Sequence, residues 1–367
     1  MANSTLNAAK AAKNDEFYTQ LSDIENELRH YKEHFRGKTV LCNCDDPRVS
    51  NFFKYFALNF EHLGLKRLIT TCYKSQDVDL FSQHQSEQAV YLIYDGDKNG
   101  NHVPDAEEIG VHPLKGDGDF RSPECIELLK QANIVVTNPP FSLFREYVAQ
   151  LMKYEKKFII IGSKSALHYK EIFPYIKENR LWVGYTPMSK DLLFDVPKII
   201  EEQFLKKGKE GSNYRVIDGK VYGRSASIWY TNIDTMKRHE KLILYKRYDP
   251  DEYPKYYNYD GIDVGNVAEI PMDYDGDMGV PDTFLNSYNP EQFELIGFSA
   301  EVPKTKEHIS YKEKDLITYE VNGEVVWSTK YSVPERKAGN SLRLDDNGKP
   351  GKLPYSRIII RRKQQKE

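Results

Sequence analysis

Long apolar runs are absent from this chain of 367 residues. A helix that crosses a bilayer needs roughly 18–20 consecutive apolar residues, whereas the best candidates, 158–162 and 357–360, are only strand-sized. The opening residues, MANSTLNAAK, carry no apolar signal core, so nothing directs export and a cytoplasmic location is expected, with no membrane partner. Cysteine is scarce. Cys42, Cys44, Cys72 and Cys125 are too few and too clustered to staple a chain of this length, which leaves reduced thiols as the simplest reading. No second Cys pair or His pair complements Cys42 and Cys44 at zinc-ligand spacing, and no metal site is expected. A surplus of positive charge is missing too. With 52 Lys and Arg against 55 Asp and Glu the net charge is −3, which excludes a uniformly basic nucleic-acid coat.

What charge there is lies unevenly. Between 249 and 301 one Lys faces thirteen acids, while from 330 to 367 eleven Lys and Arg face four acids, so local basic surface exists. Apolar residues at 40%, aromatics at 13% and charged residues at 29% suit a soluble globular protein of two domains or one large α/β unit.

Phe17, Leu21, Ile24, Leu28 and Tyr31 recur at a helical period that Gly37 closes. Strands are predicted at 39–43, 67–72, 89–94, 134–137 and 158–162. Helices are predicted at 49–62, 122–131, 142–154 and 166–179, the last leading into a strand at 181–185. Ser122 before Pro123 is a helix start. Such alternation predicts an α/β fold with a doubly wound, mostly parallel, Rossmann-like sheet. After about residue 190 the pattern changes: Asp218-Gly219, Asp260-Gly261 and Asn322-Gly323 read as hairpin turns and tyrosine becomes dense. Residues 1–190 are therefore expected to form a catalytic core. Residues 191–367 would add the remaining sheet strands and a β-rich recognition region.

The segment that carries chemistry is Asn138-Pro139-Pro140-Phe141, which follows the buried strand 134–137 directly. Ligands of doubly wound sheets bind beyond the carboxyl ends of the strands. The prolines stiffen the loop and lack N–H groups, the Asn138 amide oxygen and Pro139 carbonyl can converge on one amino group, and Phe141 can stack on a planar base. Two acceptors holding the hydrogens of an exocyclic amine free its lone pair for attack on an activated methyl group. A base inside a duplex reaches such a pocket only when flipped out.

Further words give the chain a family likeness: NDEFYT at 14–19, VLCNCDDPRVSNFF at 40–53, KGDGDFRSPEC at 115–125, TNPPF at 137–141 and VPDTFLNSYNPEQFELIGF at 280–298. Together they resemble the EcoRI-like adenine-specific DNA methyltransferases. The resemblance implies a methyltransferase sheet and transfer of a methyl group from S-adenosylmethionine to the N6 amino group of a flipped adenine in a specific double-stranded DNA sequence. Asn138, Pro139, Pro140 and Phe141 match the catalytic motif. Phe17, Tyr18 and Thr19 match the segment that packs on the cofactor, while Asn43, Asp45, Asp46 and Pro47 occupy the loop near its methionine part. Asp119 and Phe120 match the contact to its adenine. That loop contains no glycine, unlike the usual methyltransferase loop. A cognate restriction endonuclease is the implied companion, and the working unit is a monomer or a dimer. Two alternatives stay open: methylation of RNA or of a protein glutamine, and a catalytically silent DNA-binding module.

Other features have plainer readings. Counted from Asp95, the run Asp95-Gly-Asp97-Lys-Asn99-Gly100-Asn101 begins like a calcium loop, but its twelfth position is Ala106 and Pro104 lies inside it, so it reads as a solvated turn. The acidic run Asp273–Asp277 reads as an exposed loop. The tail Arg357, Arg361, Arg362 and Lys363, and the cluster Lys237, Arg238, Lys241, Lys246 and Arg247, are candidate phosphate contacts. The acidic 249–301 stretch is expected to face away from DNA.

Overall fold

Buried strands set the frame. The structure, a computed structural model, describes residues 18–44, 50–71, 89–101, 104–105, 108–190, 192–196, 198–300, 316–321, 324–329, 342–346, 349–351, 353 and 355–364. It comprises two compact units, the first ending at Asp234 and the second beginning at Thr235. Residues 192–196 and 198–234 belong to the first unit, because their strands extend its sheets.

The first unit begins with β1 (Tyr18–Thr19), α1 (Leu21–Leu28) and α2 (Lys32–Phe35). β2 (Thr39–Cys42) is buried throughout, as expected of a strand covered on both faces. Ser50 caps α3 (Asn51–Leu58) by accepting the Phe53 N–H at 3.3 Å, and α4 (Phe60–Leu63) stops at Gly64, whose φ of 62° is left-handed. β3 (Arg67–Thr71), β4 (Val90–Tyr94) and β5 (Ile109–Pro113) follow. Ser122 and Pro123 open α5 (Pro123–Gln131) as predicted, Ser122 Oγ accepting the Cys125 N–H at 3.2 Å. Next come β6 (Ile134–Thr137), α6 (Phe144–Lys153), β7 (Lys157–Ser163), α7 (Phe173–Lys177) and β8 (Trp182–Val183). β9 (Leu192–Asp195), α8 (Lys198–Lys207), β10 (Tyr214–Ile217), β11 (Lys220–Ser225) and β12 (Ser227–Thr231) complete the unit.

The main sheet runs β5-β4-β3-β2-β6-β7-β12-β8. β3, β2, β6 and β7 are parallel neighbours, and only β4 and β12 oppose the common direction. On one face Val40, Leu68, Val136, Ile159 and Trp229 join Ile24, Leu28, Phe52 and Phe56 of α1 and α3 in one core. The other face carries α6, where Phe144 meets Tyr230 at 5.1 Å and lies so close over Gly162 that any Cβ there would strike the ring. The sheet is thus wound on both sides and fits a methyltransferase fold. A smaller antiparallel sheet, β1-β9-β11-β10, lies in the same unit. Asp218 and Gly219, both at positive φ, make the predicted two-residue hairpin between β10 and β11.

In the second unit β13 (Gly261–Asp263), β14 (Asp277–Val280), β15 (Phe293–Phe298) and β20 (Ile358–Arg362) form a sheet ordered β13-β14-β20-β15. β16 (Leu316–Val321) pairs with β17 (Glu324–Thr329), and β18 (Leu344–Asp346) with β19 (Lys349–Gly351). Asn322-Gly323 lies outside the described residues, but the Val321–Glu324 register around it is that of a hairpin. Asp260-Gly261 is not a two-residue hairpin turn, but the chain does reverse here: Lys255 bridges Ile262 antiparallel and the Tyr256 N–H donates to the Gly261 carbonyl at 3.1 Å, so the turn spans 257–260. Gly261 opens β13, which pairs in parallel with β14, and a Cβ there would stand 2.7 Å from the Asp277 carbonyl oxygen.

Candidate active site

Asn138 follows β6, and Asn43 follows the neighbouring strand β2. The two strand ends are tied together. Thr137 donates its hydroxyl to the Asn43 carbonyl, and the Tyr147 phenol donates to Asn43 Oδ1. Tyr147 is wholly buried on α6, and burial pushes its phenol well above the ordinary value of 10. Its ring meets Phe120 edge-on at 5.0 Å, and Gln150 Nε2 on the same helix donates to the Phe120 carbonyl at 3.0 Å. Asp119 is held by Arg121 at 2.6 Å, and Arg121 reaches Glu146 at 2.8 Å, so this corner too is attached to α6. The guanidinium keeps the Asp119 carboxyl below its ordinary value of 3.8.

Three separate stretches that the sequence singles out, Asn43, Asp119–Phe120 and the 138–141 loop, are therefore joined through α6. Asn138 and Pro139 are buried, while Pro140 and Phe141 are half-buried, with Phe141 against the main core. β1 comes to the same region: Asn51 Nδ2, at the start of α3, donates to the Thr19 carbonyl at 2.8 Å, and Tyr18 and Thr19 pair with Asp195 and Phe194. The Thr19 hydroxyl is buried without a hydrogen-bond partner. Phe17, Asp45, Asp46 and Pro47 lie outside the described residues. Cys44 sits at φ 77°, so the turn after β2 takes a left-handed conformation although it lacks glycine. Cys42 and Cys125 are buried thiols, Cys125 raised by burial, whereas Cys44 is half-buried.

Tyr147, Thr137 and Asn51 escape the sequence reading. Tyr147 carried a faint signal, since it lies on the apolar stripe Phe144, Tyr147, Val148, Leu151 of the helix after the motif.

In the second unit two cations of the tail are engaged in internal ion pairs. Buried Arg357 grips Asp263 through two bonds of 2.9 and 3.1 Å, with Tyr256 adding a bond of 2.7 Å to the same carboxylate. Arg361 binds Asp277 at 2.6 Å, and Tyr259 also donates to Asp277. Asp277 is thus a buried member of β14 and not part of an exposed acidic loop, although Asp273 and Asp275 are exposed. Acidic stretch and basic tail partly neutralise each other.

The cluster around 241 fares differently. The Gln292 amide clamps Leu242, accepting from its N–H and donating to its carbonyl, both at 2.8 Å. Met272 N–H donates to the Lys246 carbonyl at 2.8 Å, and Tyr248 N–H to Asp273 at 2.7 Å. Along this extended segment exposure alternates, so Lys241, Ile243 (85% exposed), Tyr245 (65%) and Arg247 point outward. Lys246 pairs with Glu252. A cleft of about 270 Å³ beside it is lined by Leu244, Gln292, Arg362 and Lys363.

A large, mostly parallel sheet of this order, wound on both faces, fits a methyltransferase fold. The chain belongs to the EcoRI family of adenine-specific methyltransferases, whose family model matches residues 5–363. It is 49% identical over 298 residues to the Type II methyltransferase M.EcoRI of Escherichia coli, covering 81% of this chain and 89% of that one. It is 41% identical over 295 residues to M.MgeORF184P of Mycoplasma genitalium, covering 79% and 84%. M.MpnI of Mycoplasma pneumoniae is also 41% identical, over 293 residues. No solved structure matches the chain. Membership makes it a site-specific adenine DNA methyltransferase. No helix among the described residues is long and apolar enough to cross a membrane.

Proposed function

We propose that the 138–141 loop receives an adenine flipped out of duplex DNA, with S-adenosylmethionine as the methyl donor. The observation that carries this reading is the tie at Asn43, which joins the ends of β2 and β6 to α6 and so fixes Asn138 beside the proposed cofactor residues. Thr19, with its buried unpartnered hydroxyl, and Asn43 offer polar groups that fit the methionine part of the donor, and Phe120 offers an aromatic face near its adenine. Tyr18 and Asp119 belong to the same set, as do Phe17, Asp45, Asp46 and Pro47 by sequence. When bound, the donor supplies an electrophilic methyl carbon on a sulfonium.

The chain's own groups do the rest by position. Asn138 Oδ1 and the Pro139 carbonyl accept the two N6 hydrogens, which localises the nitrogen lone pair. Pro140 holds the corner stiff, and Phe141 stacks on the base. Replacing Asn138 with Ala removes one acceptor and is expected to slow single-turnover methylation by on the order of 10²–10³, with cofactor binding retained by calorimetry. Full activity in that variant overturns the role.

DNA is gripped, in this reading, by the second unit along 241–247. Lys241 and Arg247 lie outward in alternation with Ile243 and Tyr245, so two phosphate partners flank an apolar and an aromatic surface suited to sugars and bases.

A further inference from the structure

Three arginines stand at or beside β20, and two of them have a counter-charge. Arg357 and Arg361 each hold a buried aspartate, Asp263 and Asp277 respectively. Arg362 does not. It is half-buried, engages no ion pair among the described residues, and lines the cleft of about 270 Å³ together with Leu244, Gln292 and Lys363. Register explains its place. Arg362 stands opposite Phe293 and Ile360 opposite Leu295, so Arg362 ends an apolar face shared by β15 and β20. The nearest acids along β15 are turned to other groups: Glu294 stands opposite Arg361, and Glu291 meets His239 at 3.2 Å. A guanidinium drawn partly out of water without a counter-charge is a standing attraction for an anion.

The cleft is framed by bonds within the chain. Gln292 clamps Leu242 through its side-chain amide, and its backbone carbonyl accepts the Lys363 N–H at 2.9 Å. The Lys363 ammonium rests on the Pro290 carbonyl at 2.7 Å, which engages one of its three donors. Buried Asn289 donates to the Glu240 carbonyl at 3.2 Å and accepts the Glu291 N–H at 2.7 Å. The stretches 240–244, 289–292 and 362–363 are thus locked together, and a frame already ordered loses little freedom when a ligand binds. Size narrows the ligand. Pockets that enclose a drug-sized molecule run to roughly 300–1,000 Å³, so this cleft suits a single anionic group better than a whole nucleotide. The planar fork of an arginine matches two oxygens of a phosphate, and a lysine ammonium adds a point charge.

We propose that this cleft seats one backbone phosphate of the DNA, held by Arg362 with Lys363 as the second cation. The assignment deepens the reading of the second unit as the DNA grip and rests on it. Leu244, on the cleft wall, belongs to the same extended segment as the outward residues Lys241, Ile243, Tyr245 and Arg247. A phosphate held here fixes the position of the duplex along that segment and carries no sequence information.

The test measures binding of the full-length chain to a target duplex and to an unrelated duplex, by filter binding across salt concentrations. Arg362→Ala is expected to weaken both duplexes alike, by about tenfold, and to lower the slope of log K against log salt by about one. Arg362→Lys keeps the charge and loses the fork, so it is expected to restore the slope without the full affinity. Should Arg362→Ala fail to fold, the exposed Lys363→Ala is expected to lower the slope in its place. A loss confined to the target duplex makes Arg362 a base reader and overturns the phosphate assignment. An unchanged slope in Arg362→Ala, or in Lys363→Ala where it stands in, overturns the cleft alone when replacing Lys241 and Arg247 does lower the slope. If that replacement also has no effect, the second-unit grip falls together with the cleft.

Discussion

Tyr147 is the residue on which the site turns. Its phenol donates to Asn43, its ring supports Phe120, and its helix follows the 138–141 loop. Tyr147→Phe keeps the ring and removes the donor, which leaves Asn43 Oδ1 without that bond. A loss of about 1–3 kcal/mol is expected in denaturant unfolding; unchanged stability would show that the hydroxyl does not anchor Asn43. Asp119 gives a pH-dependent counterpart. Because Arg121 lowers its folded pKa below the ordinary 3.8, its contribution is present above that value and is lost as pH falls through the lowered folded pKa. Asp119→Asn is therefore expected to be less stable than the parent near neutrality and to converge with it in acid, measured by urea unfolding across pH. Equal gaps at pH 7 and below 3.8 would contradict this assignment. The loop proposed as catalytic could be singled out from the sequence because it is contiguous. Asn43 and Tyr147 are 104 positions apart, and nothing local announces their bond.

Elements hold together through a few polar anchors that pattern reading passes over. Glu27 of α1 is fully buried, yet accepts from the Tyr31 hydroxyl at 2.9 Å, the Tyr185 N–H at 2.7 Å, and the Thr186 N–H and hydroxyl at 2.7 and 2.6 Å. Gly184 lets the chain after β8 come this close, since a Cβ there would collide with the carboxylate. Glu27→Gln turns one acceptor into a donor facing N–H groups and is expected to cost about 3 kcal/mol. That is several degrees in a melt, and a wild-type melting temperature would refute the anchor. Helical periodicity found α1, α3, α5 and α6 because each lays an apolar stripe on the core. It overran at 166–179, where a 3₁₀ turn at Lys164–His168 precedes α7: Pro174 is tolerated only in the first turn of a helix, so α7 begins just before it. β5 and β9 went unnoticed because their apolar residues are few and only partly buried or alternate briefly.

The whole molecule carries −3 and acts on a polyanion, so the grip on DNA has to be local. The charge division in the sequence suggested the tail, but Arg357 and Arg361 sit in ion pairs with Asp263 and Asp277 inside the second unit. The other basic cluster, from 236 to 248, holds five Lys and Arg against one acid. Lys241 and Arg247 are exposed there and engage no ion pair among the described residues. Each phosphate contact releases roughly one condensed counterion, so replacing both with Ala is expected to lower the slope of log K against log salt by about two. The fold should be untouched, because both side chains are exposed. Tyr245→Ala, by contrast, removes a stacking or sugar contact and should weaken binding with the slope unchanged. Filter-binding titrations on target DNA across salt concentrations separate the two effects, and an unaltered slope in the double variant would move the phosphate grip to another surface.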